Sequence, residues 1–129
     1  MTGVQTCALP ISSVEAAILF GSTARGDDSD DSDVDVAVHL RPDAAVSVRD
    51  LRVRLERSLG RDVDVVTLDE AAAEPSFLLE IINDGRPLVD RGGCWRRLDR
   101  RRAALSREAA VRRVERNRVA HAVWDQLGE

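Results

Sequence analysis

The sequence predicts an α/β (α+β) domain in which helices pack against a small mixed β-sheet. Short apolar segments alternate along the chain with segments whose apolar residues have helical spacing. The 129 residues are enough for one domain with one core. The apolar content of 43% is that of an ordinary globular protein. Together these observations exclude disordered and fibrous classes.

Three strands are predicted from apolar or alternating runs. Residues 16–20 form an apolar run that Gly21 closes. Residues 33–38 alternate between acidic or small residues and valine, which is the period of a strand. Residues 63–68 are rich in β-branched side chains. A tight connection between the first two strands would make part of the sheet antiparallel.

Two helices are predicted around the third strand. Residues 43–59 place apolar side chains on one face and mostly arginine and glutamate on the other. Residues 75–83 begin with proline, which is favoured in the first turn of a helix. Residues 86–89 could add a short strand at the end.

The C-terminal part of the chain is predicted to be helical and separate from the main domain. A Gly92-Gly93 pair marks the boundary between residues 12–90 and residues 91–129. Residues 95–127 are expected to form one long helix or two short ones. Their apolar stripe is broken by arginines, so the helix either needs a partner or is a solvated helix docked weakly on its own domain.

Residues 1–11 read as the translation of a short-read sequencing adapter, with GTG as the start codon. The segment lacks the basic start and the apolar stretch of a signal peptide. We therefore expect the native N-terminus to be missing, together with a helix before the first strand, and we assign Cys7 no function.

The charge is distributed unevenly. The net charge is −4 overall, about −10 in residues 1–90 and about +6 in residues 91–129. A basic tail can attract nucleic acid, but residues 1–90 are acidic and would repel it. We therefore do not expect direct binding to nucleic acid. No apolar run approaches the roughly 20 residues of a membrane span, so no membrane partner is expected. Two distant cysteines make neither a metal nor a disulfide framework, which favours a cytoplasmic protein.

A phosphate-binding turn is predicted at the end of the first strand. Gly21 has no side chain and lets the backbone approach phosphate oxygens, and Ser22 adds a hydroxyl. Ser22 or Thr23 could cap a short helix, whose N-terminal amides favour an anion. Arg25 could neutralise a phosphate. Alone, this pattern is more typical of an ordinary Gly-Ser turn, because many strands end in Gly-Ser.

Carboxylates on the second and third strands extend this site. Asp33 and Asp35 share one face of a strand, about 6–7 Å apart, and repel each other unless a cation lies between them. Asp64 joins them if the second and third strands pair. Three carboxylates could then hold two Mg²⁺ ions roughly 3.5–4 Å apart. Asp62 has the same parity, but it lies just after the Gly60 turn, where an acid is unremarkable, so Asp64 is preferred.

This spacing closely resembles the signature of the minimal nucleotidyltransferases in the DNA polymerase β superfamily. That signature is Gly-Ser, ten residues and Asp-x-Asp, filled here by Gly21, Ser22, Asp33 and Asp35. Residues 23–26 are typical of the MNT-type antitoxins of HEPN/MNT toxin–antitoxin pairs. The similarity continues through Asp64 and residues 81–88 and covers roughly residues 16–90, which assigns residues 12–90 to a nucleotidyltransferase domain.

The resemblance implies a polymerase β-like nucleotidyltransferase fold and transfer of AMP from ATP with release of pyrophosphate. Asp33 and Asp35 would bind both Mg²⁺ ions, and Asp64 would assist the attacking hydroxyl. Gly21 and Ser22 would hold the β- and γ-phosphates. The implied partner is a HEPN-type ribonuclease toxin, silenced by adenylylation of a tyrosine, and an oligomer with that partner is possible.

Three functions stay open at this point. The first is an antitoxin enzyme that adenylylates a partner protein; the chain has no tyrosine, so it could not modify itself at one. The second is a nucleotidyltransferase for a small hydroxylated molecule such as an aminoglycoside, although such enzymes usually carry a substantial second domain. The third is a non-catalytic antitoxin that acts by binding, although the presence of all three carboxylates argues against a decayed site.

Overall fold

The computed structural model describes residues 13–26 and 33–128, so the adapter-like residues 1–11 lie outside it. The described elements follow one another in the order β1 (Val14–Phe20), α1 (Gly21–Arg25), β2 (Val34–Leu40), α2 (Val48–Leu59), β3 (Val63–Thr67), α3 (Leu68–Ala72), α4 (Pro75–Asp84), β4 (Arg86–Asp90), α5 (Cys94–Arg100) and α6 (Arg102–Leu127).

The four described strands form one mixed sheet in the order β3-β2-β1-β4. β1 is antiparallel to both of its neighbours, β2 and β4, whereas β2 and β3 are parallel. A parallel pair needs a long crossover, which α2 supplies. The predicted mixed sheet with an antiparallel part is therefore confirmed.

Helices cover both faces of this sheet and create two cores. On one face, α2 packs on the alternating valines of β2 and β3. On the other face, Ile18 and Phe20 of β1 and Ala37 of β2 pack against α3, α4, α5 and α6. Because side chains two apart share a face of a strand, Asp35 lies on the same face as Ala37. The face of β2 that carries Asp35 is therefore partly covered, because Ala37 on the same face is buried in the second core.

The start of α2 differs from its predicted position. The helix begins at Val48 rather than at Asp43, because Ser47 is its N-cap. The Ser47 hydroxyl accepts a hydrogen bond from the Asp50 amide at 3.1 Å, and the Asp50 carboxylate accepts one from the Ser47 amide at 3.4 Å. This reciprocal capping box fixes the boundary.

A similar cap explains why the third strand is shorter than predicted. It also explains the helix that follows this strand, which was not predicted. β3 ends at Thr67 rather than Leu68, because the Thr67 hydroxyl accepts a hydrogen bond from the Glu70 amide at 3.0 Å. The chain therefore turns into α3 at Leu68, whose side chain is buried in the core.

The C-terminal segment forms a short helix and a long one, whereas the sequence predicted either one long helix or two short ones. Arg101 separates α5 from α6. Leu98 of α5 and Leu105 of α6 are buried in the same core as Ile18. The beginning of this segment is thus part of the folded core. Within the described residues, no helix is both long and apolar enough to cross a bilayer.

α6 runs antiparallel to α4 and extends beyond it. Near its start, the Arg102 guanidinium donates hydrogen bonds to the Asn83 side chain and to the Ile82 carbonyl, at the end of α4. Further along, Arg116 lies 3.9 Å from Glu74, which is the N-cap of α4. Every described residue from 111 to 128 is exposed. We call residues 111–127 the projecting half of α6.

Candidate active site

β1 ends in a tight turn at Gly21, whose backbone φ is +74°. α1 begins at once, and its N-cap is Phe20, which makes no side-chain capping bond. The expected capping by Ser22 or Thr23 is therefore wrong, because both residues already lie within the helix. Phe20 packs edge-on against Phe77 with ring centroids 5.7 Å apart. Core packing, rather than a cap, positions the turn.

Gly21 makes room for a carboxylate. A Cβ atom on Gly21 would overlap Oδ2 of Asp35, and the positive φ is itself unfavourable for an L residue. The sequence interpretation expected this space to admit phosphate oxygens. In the structure the neighbouring Asp35 side chain takes it up, so the turn and the second strand fit together at this point.

The pairing of β2 with β3 places Asp35 directly opposite Asp64. This is the strand pairing on which the choice of Asp64 depended. Asp33 lies one residue before β2 and is exposed, as is Asp64. The Thr23 hydroxyl donates a hydrogen bond to the Asp33 carbonyl at 3.4 Å, which connects α1 to the start of β2. The Gly-Ser turn and the carboxylates therefore lie at the same end of the neighbouring strands β1, β2 and β3.

Asp35 is held in an environment that opposes its ionisation. Burial raises the pKa of Asp35 above 3.8, and the negative charges of Asp64, Asp33 and Glu80 raise it further, while Arg25 lowers it. A group of like charges with little counter-charge is the electrostatic condition that a bound cation would relieve. Glu80, on α4, is a member of this group that sequence reasoning missed.

The donor chemistry fits magnesium. Among the residues that the structure describes, no three acidic, histidine or cysteine side chains form a closed ligand set. Mg²⁺ usually binds through one or two protein carboxylates and completes its shell with water and substrate phosphates, so an open set is suitable. Asp33, Asp35 and Asp64 are the residues that would hold the ion or ions.

Arg25 is paired with an acid that sequence reasoning also missed. Its Nη1 atom lies 3.0 Å from Oδ2 of Asp84, the last residue of α4, and both side chains are partly exposed. Because Arg25 also lowers the pKa of Asp35, its charge acts on the acidic group. Asp84 lies four residues after Glu80, which places both acids on one face of a mainly apolar helix. That spacing is the signal that could have identified them.

Comparison with known proteins identifies the family to which these site residues belong. A family model described as "Polymerase beta, Nucleotidyltransferase" matches residues 8–92, which is 85 of the 129 residues and includes every predicted site residue. None of the curated proteins matches this chain.

Several solved structures share the fold. One, described as "Crystal structure of the toxin-antitoxin with AMP-PNP", is 21% identical with a TM-score of 0.64, covering 95% of this chain and 98% of that chain. A structure of the toxin–antitoxin MntA-HepT is 18% identical with a TM-score of 0.59, covering 95% of this chain and 94% of that chain. A third, from Shewanella oneidensis, is 16% identical with a TM-score of 0.50, covering 98% and 95%.

At these identities the solved structures confirm the predicted polymerase β-like fold alone. The family model adds a match in sequence over two thirds of the chain, across the turn at Gly21 and all three carboxylates. This chain therefore belongs to the polymerase beta nucleotidyltransferase family.

Proposed function

We propose that this chain transfers AMP from ATP to a hydroxyl group of a partner protein, with Mg²⁺ and with release of pyrophosphate. The observation that carries the proposal is the in-register pair of Asp35 and Asp64 beside the Gly21-Ser22 turn. Membership of the family supports nucleotidyl transfer. A protein of similar fold in a structure with AMP-PNP supports an adenine nucleotide as the substrate.

The turn and the carboxylates would have separate tasks in binding. The backbone at Gly21 and the hydroxyl of Ser22 would hold the β- and γ-phosphates, and Arg25 would offset their charge. Asp33 and Asp35 would hold the metal, with Asp64 completing its shell. Bound Mg²⁺ would offset the charge of the triphosphate and polarise the α-phosphate.

The transfer step needs a proton acceptor beside the attacking group. The acceptor hydroxyl oxygen forms a bond to the α-phosphorus, while the bond from that phosphorus to the bridging oxygen breaks and pyrophosphate leaves with the electron pair. The hydroxyl proton passes to the Asp64 carboxylate. Asp64 suits this role because it is exposed on β3, where an incoming molecule can reach it, whereas Asp35 is half-buried.

We further propose that the acceptor is a HEPN-type toxin and that this chain is its cytoplasmic antitoxin. Proteins of similar fold, matched over 95% of this chain, are described as parts of toxin–antitoxin pairs. Because the chain has no tyrosine, a tyrosine acceptor would have to belong to the other molecule.

The test is a transfer assay with α-labelled ATP and Mg²⁺. The acceptor tested is the purified product of the gene adjacent to the one that encodes this chain, and the control omits it. We expect label on that product, and a loss of about 1000-fold or more with an Asp33→Ala/Asp35→Ala variant. Asp62→Ala is the matched control: this exposed acid lies just before β3, outside the proposed site, and its loss should leave transfer within about twofold of wild type.

Two outcomes would replace this proposal. If no label is transferred and the double variant silences the toxin as well as the wild type does, the chain is a binding module. If label appears on an aminoglycoside instead of the protein, the chain modifies small molecules.

A further inference from the structure

The last turn of α4 is held by side chains from two other helices. The Asp84 carboxylate lies 3.0 Å from Nη1 of Arg25, in α1. The guanidinium of Arg102, in α6, donates hydrogen bonds to the Asn83 side chain and, at 3.4 Å, to the Ile82 carbonyl. Neighbouring residues of a helix point about 100° apart, so Asn83 and Asp84 direct these contacts to different sides of the turn. This turn therefore connects α6 to α1.

The end of α4 is closed differently from the end of α2. At α2, Gly60 has a left-handed backbone and its amide donates a hydrogen bond to the Glu56 carbonyl. Gly85, which follows α4, has an extended backbone instead, with φ −70° and ψ 146°. The last four carbonyls of a helix have no partners within it. The bond from Arg102 to Ile82 satisfies one of them, so the last turn of α4 is fixed partly by a side chain from outside the helix.

Asp84 occupies an electrostatically unfavourable position. The C-terminal end of a helix carries a partial negative charge, which favours basic side chains and disfavours acidic ones. Within the described helix α4, the last turn contains no basic residue. The guanidinium groups of Arg25 and Arg102 bring positive charge to this turn from α1 and α6. An acid at the end of α4 is therefore explained by the contact that it makes with Arg25.

The direction of the Arg25 side chain depends on how firmly Asp84 is held. The Arg25 side chain is 44% exposed and that of Asp84 is 28% exposed. Exposed ion pairs are weak partly because ordering two mobile side chains costs entropy, so a partner that is already fixed strengthens the pair. Arg25 is the last residue of α1, the helix that begins at Gly21. A fixed Asp84 thus holds the Arg25 guanidinium close to the turn that the proposed function assigns to the triphosphate.

Arg102 lies outside the part of the chain that contains the other site residues. The family model matches residues 8–92, whereas Arg102 is the first residue of α6. One turn later, Leu105 is buried in the same core as α4, which anchors the start of α6. Asp99 also accepts a hydrogen bond from Arg102, at 2.8 Å. An Asp99→Asn side chain can still accept this bond, so the contacts of Arg102 with α4 should survive that substitution.

We propose that Arg102 is a positioning residue of the nucleotide site: it fixes the last turn of α4, from which Asp84 holds Arg25 toward the triphosphate. This inference rests on the proposed function in that ATP binds beside Gly21 and Ser22. It adds that the C-terminal helices contribute to nucleotide binding through α4, without touching the nucleotide.

The experiment measures calorimetric binding of an ATP analogue with Mg²⁺. The analogue has a methylene group between its α- and β-phosphorus atoms and cannot donate AMP. Arg102→Ala should raise Kd about 3- to 10-fold, because Arg25 loses its fixed partner. Arg116→Ala is the matched control, since Arg116 also joins α6 to α4 but contacts Glu74 at the other end of α4. That variant should change Kd less than about twofold.

Two further variants separate position from charge. Asn83→Ala removes an acceptor of Arg102 and leaves every charge in place, so it should also raise Kd, by about 2- to 5-fold. Asp84→Asn should raise Kd by itself, and adding Arg102→Ala to it should have little further effect, because both changes release Arg25. In the transfer assay, Arg102→Ala should raise the KM for ATP and leave kcat within about twofold of the wild type. Thermal melts check that each variant is folded at the temperature of the titration.

The binding measurements distinguish this inference from the proposed function. A raised Kd in Arg102→Ala and Asn83→Ala, with no AMP transferred to a protein by the wild type, would support the inference while the proposed activity fails. Conversely, the inference is overturned if the wild type transfers AMP and Arg102→Ala binds the analogue as tightly as it does.

Three other results would also overturn the inference. Equal increases in Kd in Arg102→Ala and Arg116→Ala would mean that the end of α4 next to Arg25 has no special role. An increase in Arg102→Ala that adds fully to that of Asp84→Asn, and is absent in Asn83→Ala, would mean that the charge of Arg102 acts at a distance. Absence of analogue binding by the wild type would mean that Arg25 holds no triphosphate.

Discussion

The turn at Gly21 and the projecting half of α6 are constrained to opposite degrees. At the turn, a positive φ, a missing side chain and the Asp35 carboxylate fit together over a buried Phe20. In the projecting half, every side chain is exposed. We therefore expect a substitution at the turn to change stability and chemistry together, whereas replacing an apolar residue of the projecting half should change neither by much. Four experiments test this contrast, beginning with the largest effect.

Gly21→Ala should have the largest effect on activity among these four substitutions. The new Cβ sits in an unfavourable backbone conformation and displaces Asp35. We expect the free energy of unfolding to fall by about 1–3 kcal/mol. AMP transfer should fall about 100-fold or more, because Asp35, a carboxylate proposed to hold the metal, is misplaced. Urea denaturation and the label-transfer assay measure the two losses.

Gly60→Ala is the matched control for that experiment. Gly60 also has a positive φ, +65°, but no atom lies within 4 Å of its Cβ position. The Gly60→Ala variant should lose about as much free energy of unfolding as Gly21→Ala but keep its transfer activity. If transfer fell as far as in Gly21→Ala, backbone strain rather than the Asp35 contact would explain the loss.

Leu105→Ala tests the contrast within α6 itself. Leu105 is 2% exposed, and its truncation leaves a cavity in the core. We expect the free energy of unfolding to fall by about 2–5 kcal/mol. Leu127→Ala, at 77% exposure, should stay within about 0.5 kcal/mol of wild type in the same urea titration. Similar losses at both positions would show that the projecting half packs on the domain in solution.

Asp84→Asn should have a smaller and more specific effect on activity. It weakens the ion pair that holds Arg25, so we expect the KM for ATP to rise about 3- to 10-fold with little change in kcat. Asp84→Glu, which keeps the negative charge, should have a KM close to that of the wild type. Asp99→Asn breaks an exposed pair with Arg102 instead and should leave KM unchanged. A fall in kcat alone would contradict a role in nucleotide binding.

The smallest effect concerns the stability of the site without metal. Because the pKa of Asp35 is raised in the folded protein, its contribution to stability is fully present below pH 3.8 and is lost as the pH rises through the raised pKa. Asp35→Asn escapes this loss. In EDTA, the variant should therefore gain stability relative to wild type between pH 4 and pH 7.

Thermal melts at several pH values measure that difference. Mg²⁺ should reduce it at pH 7 by stabilising the wild type and not the variant. A difference that is independent of pH would mean that ionisation of Asp35 carries no stability penalty.

The strands and the site were predictable to the extent that they depend on local pattern. The Asp-Val alternation located β2, and the spacing from Gly21 to Asp33 indicated the family. Helix ends were less predictable, because a single side chain such as Ser47 or Thr67 decides them. The α3 helix was missed for this reason, although Thr67 and Glu70 have capping-box spacing.

Contacts between distant residues could not be read from the sequence. That Asp35 fills the space at Gly21 depends on the register of β1 against β2. That Asp84 pairs with Arg25, 59 residues away, depends on how α4 packs. The C-terminal segment gives a further example, because its sequence pattern did not reveal that Leu98 and Leu105 are buried in the same core as Ile18.

The shared burial of Ile18 and Leu105 has a consequence for the order of folding. β1 is synthesised before β4 and α6, but its pairing with β4 joins Ile18 to Pro87, about 70 residues later. Leu105, in the same core, is made later still. Long-range contacts of this kind slow folding, because the chain closes a large loop before they form. β1, which leads into the turn at Gly21, is thus synthesised before the elements that hold it in place.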